Sequence, residues 1–114
     1  MSVSFQDVGA DLRRITISGR LDMEGAESVS AQIQELVEAP KKGVVIYLTA
    51  VRFLASVGIR ILVASAKAAQ QRGGKLVLVV ASGSSAAMSL EATGIDRLIP
   101  VFTDGDEAEH AALQ

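Results

Sequence analysis

The stretch from Val44 to Leu62 holds the residues best placed to do chemistry. Val44-Val45-Ile46-Tyr47-Leu48 reads as a buried strand, Thr49-Ala50-Val51-Arg52-Phe53-Leu54 as an irregular piece, and Ala55-Ser56-Val57-Gly58 as the opening of an apolar helix that proceeds from Ile59. A hydroxyl delivered by a strand to a helix N-terminus sits where free N–H groups and the helix dipole both favour negative charge. Two roles fit Ser56. It can be an N-cap, since serine is among the preferred capping residues. It can also be a regulated hydroxyl, because phosphorylation would add about two negative charges at that point. Phe53, Leu54 and Val57 supply apolar atoms around it, and Phe53 is expected to tuck onto the core. Val57 and Ile59 are candidate contacts for a protein partner, with Arg60 at the rim.

Other chemistries are excluded by residue type and context. His110 is the single histidine, so neither a Ser-His-acid triad nor a histidine metal cluster can be built, and a solvated surface position is expected for it. Cysteine is absent, which removes disulfides and thiolate metal sites. Gly73-Gly74 lacks the spacing of a dinucleotide loop or P-loop and reads as a helix stop. Asp104, Asp106, Glu107 and Glu109 read as a solvated helix start, since strand-borne partners for a metal are not apparent. A response-regulator receiver would need a phosphoacceptor Asp where its central strand ends, and here that strand runs into Leu48-Thr49-Ala50. No cofactor and no metal is expected.

The elements that must position Ser56 follow from hydrophobic period and punctuation. Val3 and Phe5 alternate with polar residues, as do Ile15 and Ile17, so residues 2–8 and 12–19 read as an antiparallel hairpin around Gly9-Ala10-Asp11. Asp22 can cap a helix from about Met23 to Glu38, whose Ala26, Val29, Ile33, Leu36 and Val37 keep helical spacing and which Pro40 ends. The strand at 43–48 is a continuous apolar run of the kind found in parallel sheets covered by helices. A helix from about Val57 to Gln71 and a strand from Leu76 to Val80 come next. The polar loop Ala81-Ser82-Gly83-Ser84-Ser85 then caps a short helix ending near Thr93, with Gly94 as its left-handed stop. Leu98 to Phe102 reads as a last strand, and Asp104 with Glu107 as a capping-box-like start to an Ala-rich helix.

Alternating strands and helices imply a parallel core sheet, and right-handed crossovers between neighbouring strands put the helices on one side. The strand C-terminal loops at Leu21-Asp22-Met23, Val51 to Gly58 and Ser82 to Ser85 then converge on one edge, where binding sites of open α/β sheets lie. With 114 residues the chain suits one domain, residues 1–114. It has no Trp, three Phe and one Tyr, so the core is expected to be aliphatic. A net charge of −2, with both signs interspersed, argues against nucleic acid or an anionic membrane as main partner. The start has no basic segment followed by an apolar run, and no apolar stretch reaches spanning length. A soluble cytoplasmic protein with no direct membrane insertion is the expectation.

Three pieces in order, Gly19-Arg20-Leu21-Asp22, the strand-loop-Ser-X-Gly of residues 44–58, and Leu90 through Val101, resemble the STAS domain over essentially the whole chain. This domain occurs in bacterial anti-sigma factor antagonists and in the cytoplasmic tails of sulfate transporters. The resemblance implies a single mixed, mostly parallel α/β sheet with helices mainly on one face and an N-terminal antiparallel hairpin. It also implies a binding protein rather than an enzyme. In antagonists of this type the unphosphorylated domain binds a serine-kinase anti-sigma factor and so releases the sigma factor; the kinase uses ATP to phosphorylate a serine, and a phosphatase resets it. Ala55-Ser56-Val57-Gly58 aligns with the usual Asp-Ser-Ser/Thr-Gly motif, which puts Ser56 at the phosphoacceptor position and Asp22 at an acid lying near it. The partner surface is then expected to include Asp22, Leu54, Ala55, Ser56, Val57, Gly58, Ile59, Arg60 and Ser84. Ala55 and Val57 replace the motif's polar residues, which keeps the acceptor atom and removes groups that orient it. The alternative is a non-phosphorylated STAS scaffold subunit of a sensory complex or a transporter, such as a lipid-exporting ABC system. Self-association is compatible with either.

Overall fold

A computed structural model describes residues 2–39 and 41–114, so the expected helix stop at Pro40 lies outside the described residues. The elements run β1 (Ser2–Val8), β2 (Leu12–Leu21), α1 (Met23–Val37), β3 (Gly43–Leu54), α2 (Ser56–Gln71), β4 (Lys75–Val79), α3 (Ser85–Thr93), a 3-10 turn (Ile95–Arg97), β5 (Val101–Phe102) and α4 (Gly105–Ala112). The strands form one sheet in the order β1-β2-β3-β4-β5. β1 pairs antiparallel with β2, and the remaining pairs are parallel. This is the mixed, mostly parallel α/β sheet with an N-terminal hairpin that the residue pattern implied.

Side-chain alternation along the strands builds two unequal layers. Ile15, Ile17, Val44, Ile46, Leu48, Leu76 and Leu78 share one core with residues of α1, α2 and α3, including Ile33, Leu62 and Leu90. Leu12, Val45, Val77 and Val79 point the other way and meet Ala108 and Ala112 of α4. The apolar run 44–48 is continuous because both faces of β3 are covered. Helices α1 to α3 therefore share one face, and α4 alone lies on the other.

Helix ends follow local chemistry. Asp22 Oδ1 accepts from Gly25 N at 3.0 Å, Ser84 Oγ from Ala87 N at 3.1 Å, and Asp104 Oδ1 from Asp106 N at 2.9 Å. Gly74 N donates to Ala69 O and Gly73 N to Gln70 O, the paired bonds that close a Schellman stop. Helix α1 has no basic residue in its last turn and obtains positive charge from elsewhere. Arg13 Nη1 of β2 donates to Leu36 O at 2.9 Å, Arg72 Nε donates to Val37 O at 2.9 Å, and Arg72 Nη1 donates to Lys41 O.

Two strand boundaries differ from expectation by more than two residues. β3 does not stop at Leu48 but continues to Leu54, pairing with β2 through register shifts between Thr16 and Ser18 and between Gly19 and Arg20. Gly19, at φ 100°, takes a backbone conformation a side chain would strain, and Arg20 thereby falls opposite Phe53. The expected strand 98–102 shrinks to Val101–Phe102. Ile95 and Ile99 are buried at helical spacing, Ile99 N bonds to Ile95 O at 2.9 Å, and Pro100 has no N–H for a ladder.

Glu109 is also not the solvated residue that the acidic helix start implied. Its carboxylate accepts from Arg14 Nε at 2.6 Å, Arg14 Nη2 at 2.8 Å and the Tyr47 hydroxyl at 2.5 Å, which ties α4 to β2 and β3. The Arg14 hydrogen bonds hold the Glu109 carboxyl below the usual carboxylate range, and burial with the Glu109 bond pushes Tyr47 up to about 12. Only alanines of α4 are fully buried, so this clamp bears much of the register of the helix. A carboxyl whose titration is depressed on folding stabilises above its unfolded value, and the gain is lost as pH falls through the folded value. We expect Glu109→Gln to lose about 1 kcal/mol at neutral pH. Urea unfolding across the acid range should show the gap between the two proteins narrowing once pH drops below the ordinary glutamate range.

Candidate functional site

The loop end of the sheet is organised by the last pair of the β2–β3 ladder, Leu21 opposite Leu54. Just beyond it, Ala55 N donates to Leu21 O at 3.1 Å, and Ile59 N donates to Ala55 O at 3.1 Å. The ladder therefore runs directly into the first turn of α2. Ala55, with φ −86° and ψ 169°, is the N-cap, and no side-chain hydrogen bond caps this helix. Ser56 is the first helical residue and is exposed. The capping role open to Ser56 in the sequence is thus not the role it has. The position of the cap is set by where strand pairing ends, and that point falls one residue before the serine.

The buried residues of this segment shape the surface from beneath. Leu54 is 3% exposed and Ile59 8%, and both belong to the main core. Gly58 is buried where a Cβ would lie 2.7 Å from Leu21 Cγ and 2.8 Å from Leu54 Cδ1. These three residues, expected at the partner surface, position it without forming it. Among the residues that remain accessible, Ala55 and Val57 are half-buried, and Ser56 and Arg60 are exposed.

Asp22 is engaged elsewhere. Besides capping α1 it accepts from Arg20 Nε at 3.3 Å, and the Gly25 N–H, then Arg20, hold its carboxyl below the usual range. It reaches the α2 start through the backbone, as the residue after Leu21, and both of its carboxylate oxygens have the partners just named. Ser84 is likewise half-buried and committed to capping α3. Phe53 is not tucked onto the core: it is 37% exposed, and the Arg20 guanidinium lies 4.6 Å from its ring centroid. Met23 (72% exposed) opens α1, and Met88 (63%) sits in the first turn of α3. Both therefore lie at the sheet end that carries Ser56. Together these side chains give an adaptable apolar rim. Among the described residues no helix is long and apolar enough to cross a membrane, and no three His, Cys, Asp or Glu side chains converge as a metal site.

Two substitutions test this geometry by denaturant unfolding. Ala55→Asp supplies the missing cap and an anion at the positive helix end, and should stabilise by about 1 kcal/mol, whereas Ser56→Ala should stay within about 0.5 kcal/mol of wild type. Gly58→Ala would gain about 1 kcal/mol from helix propensity alone, but the contacts with Leu21 and Leu54 reverse the sign, for a net loss of about 1–2 kcal/mol.

The arrangement has known counterparts. The family model described as STAS domain matches residues 8–108. An anti-sigma factor antagonist from Mycobacterium paratuberculosis is similar at 27% identity and TM-score 0.84, over 99% of this chain and 94% of that one. The Bacillus cell fate determinant SpoIIAA in its phosphorylated form is similar in fold at 14% identity and TM-score 0.69, over 96% and 99% of the two chains. The STAS domain of a SulP transporter from Vibrio cholerae matches in fold at 20% identity and TM-score 0.69, over 95% and 84%. No sequence among the curated proteins matches the chain.

Proposed function

Because the chain belongs to the STAS domain family, we propose that it acts in the cytoplasm as an anti-sigma factor antagonist. It binds a serine-kinase anti-sigma factor through the loop end of the sheet and is switched off by phosphorylation at Ser56. The observation that carries this reading is the state of Ser56: it stands exposed at the first position of α2 and takes no part in capping the helix. A serine without a capping role, at the positive end of a helix and beside an apolar rim, suits a hydroxyl that a partner must reach. A protein of the same fold, from Bacillus, exists in a phosphorylated form, and an antagonist is among the similar structures.

In this reading the chain is a substrate and a binder, not a catalyst. Ser56 Oγ forms the new P–O bond to the γ-phosphorus of ATP, ADP leaves, and the hydroxyl proton passes to a base on the kinase. ATP and its Mg²⁺ belong to the kinase, and a phosphatase hydrolyses the ester to reset the switch. The phosphate then stands at the start of α2, in an interface formed around a neutral hydroxyl, and repels the partner by charge and desolvation. The residues Ala55, Val57 and Arg60 beside Ser56, with Asp22 and Ser84 at the neighbouring loops, make up the proposed contact surface.

The second reading, a permanent scaffold subunit, has a specific observation in its favour. Ala55 and Val57 carry no polar group that could hold the Ser56 hydroxyl in line for attack. The two readings separate in one experiment. The native partner is recovered from the host on the wild-type protein and incubated with γ-labelled ATP and wild type, Ser56→Ala or Ser56→Asp. We expect label in wild type only, and binding by calorimetry that is retained in Ser56→Ala and weakened at least tenfold in Ser56→Asp. A partner that neither transfers label nor discriminates Ser56→Asp would replace the antagonist reading with the scaffold reading.

A further inference from the structure

Arg60 lies one helical turn after Ser56, at the i, i+4 spacing that places two side chains side by side on one helix face. Both are exposed. The ion pairs among the described residues engage Arg13, Arg14, Arg20 and Lys41, and Arg72 donates to backbone carbonyls; Arg60 is in none of these arrangements. The first turn of α2 also carries no acid, whereas α1 has Glu24 and α4 has Asp106 and Glu107 in theirs. Among the described residues Arg60 is, moreover, the sole charged one lining a groove of about 270 Å³ between α1 and α2, whose walls include Val37, Val57, Ile61 and Ala64.

We propose that Arg60 is the intramolecular receiver of a phosphate on Ser56, so that modification both adds negative charge at the head of α2 and withdraws the one cation at the rim of the α1–α2 groove. The inference rests on the reading of Ser56 as a phosphoacceptor and names how this chain uses the modification. An arginine is suited to the task because its planar guanidinium offers paired donors to phosphate oxygens. The order of the two groups agrees with the dipole, with the anion nearer the helix N-terminus and the cation towards its interior. The surface around Ser56 thus changes from a neutral hydroxyl beside a free cation to a closed ion pair. A partner that docks an acidic side chain on Arg60 loses its counter-charge at the same moment as it meets the phosphate.

The test needs no kinase. Phosphoserine is installed at position 56 of the full chain by coded incorporation, and its ³¹P resonance is followed through the weakly acidic range in wild type, Arg60→Gln and Arg60→Lys. An adjacent guanidinium favours the dianion, so the titration midpoint in Arg60→Gln should lie higher than in wild type by about 0.3 pH unit. Arg60→Lys should recover part of that difference, and high salt should shrink it. Equal midpoints in wild type and Arg60→Gln would overturn the role of Arg60. Label transfer to Ser56 combined with equal midpoints would leave the switch standing without its receiver. A shifted midpoint combined with no transfer by the native partner would leave the receiver and remove the kinase reading.

Discussion

The parallel pairing of β2 with β3 is the constraint from which the loop end follows. It continues past Leu48 through two register shifts, ends with Leu21 opposite Leu54, and then passes one further hydrogen bond, Ala55 N to Leu21 O, into the head of α2. That last bond fixes the backbone of Ala55, and the carbonyl of Ala55 accepts the first α2 bond from Ile59. Helix α2 therefore has no freedom to start one residue later, where serine would have made a better cap. Gly58 lets this first turn settle onto Leu21 and Leu54, and Asp22 fixes α1 from the residue next to Leu21. The serine is exposed because everything around it is anchored to the sheet.

Electrostatics divide the arginines into two groups with different work. Arg13 and Arg72 supply positive charge to the C-terminal carbonyls of α1, a helix with no basic residue in its own last turn. Arg13 also takes a bidentate pair with Asp7 at 2.7 and 2.9 Å across the hairpin. Arg14 holds α4 through Glu109, while Arg20 spans Asp22 and Phe53. Each of these guanidinium groups is thus already engaged within the fold. Arg52, Arg60 and Arg97 are instead exposed and outside the ion pairs among the described residues, and of these three Arg60 is the one that lines the groove between α1 and α2.

Much of the architecture was legible because local and global signals agree. Asp22, Ser84 and Asp104 each cap the helix that follows them, Gly73 and Gly94 stop helices at positive φ, and the apolar run at 44–48 is covered on both faces. The failures occur where a long-range pairing decides the outcome. Thr49 to Leu54 has no clean alternation, because the register shifts opposite it break the period that marks a strand. Ile99 fell within the expected strand from Leu98, but its burial four residues after Ile95 suits a helical turn. Glu109 looked solvated beside other acids, and its two partners lie in strands that the linear pattern could not bring next to it. For Ser56, capping propensity pointed to the wrong residue, and the ladder end chose Ala55.

That displacement also changes what the substitution at position 55 means. In the motif this segment resembles, the residue before the serine carries a carboxylate. At the N-cap such a group would satisfy first-turn N–H groups of the helix and partly neutralise its positive end. With alanine there, α2 begins without a side-chain cap and without an acid in its first turn. The N–H groups and the dipole remain uncompensated beside the Ser56 hydroxyl, and Arg60 adds a full charge one turn away. In the proposed transfer to Ser56, the absence of that carboxylate would take away an orienting contact and slow a nucleophile that must be held in line. In the proposed function it also leaves a deeper positive potential for a phosphate on Ser56. Under that proposal the same alanine would shift the burden of positioning to the partner and strengthen the hold on the product. On this account the polar neighbours of the serine and its capacity to carry charge are separable, and the chain has kept the second while losing the first.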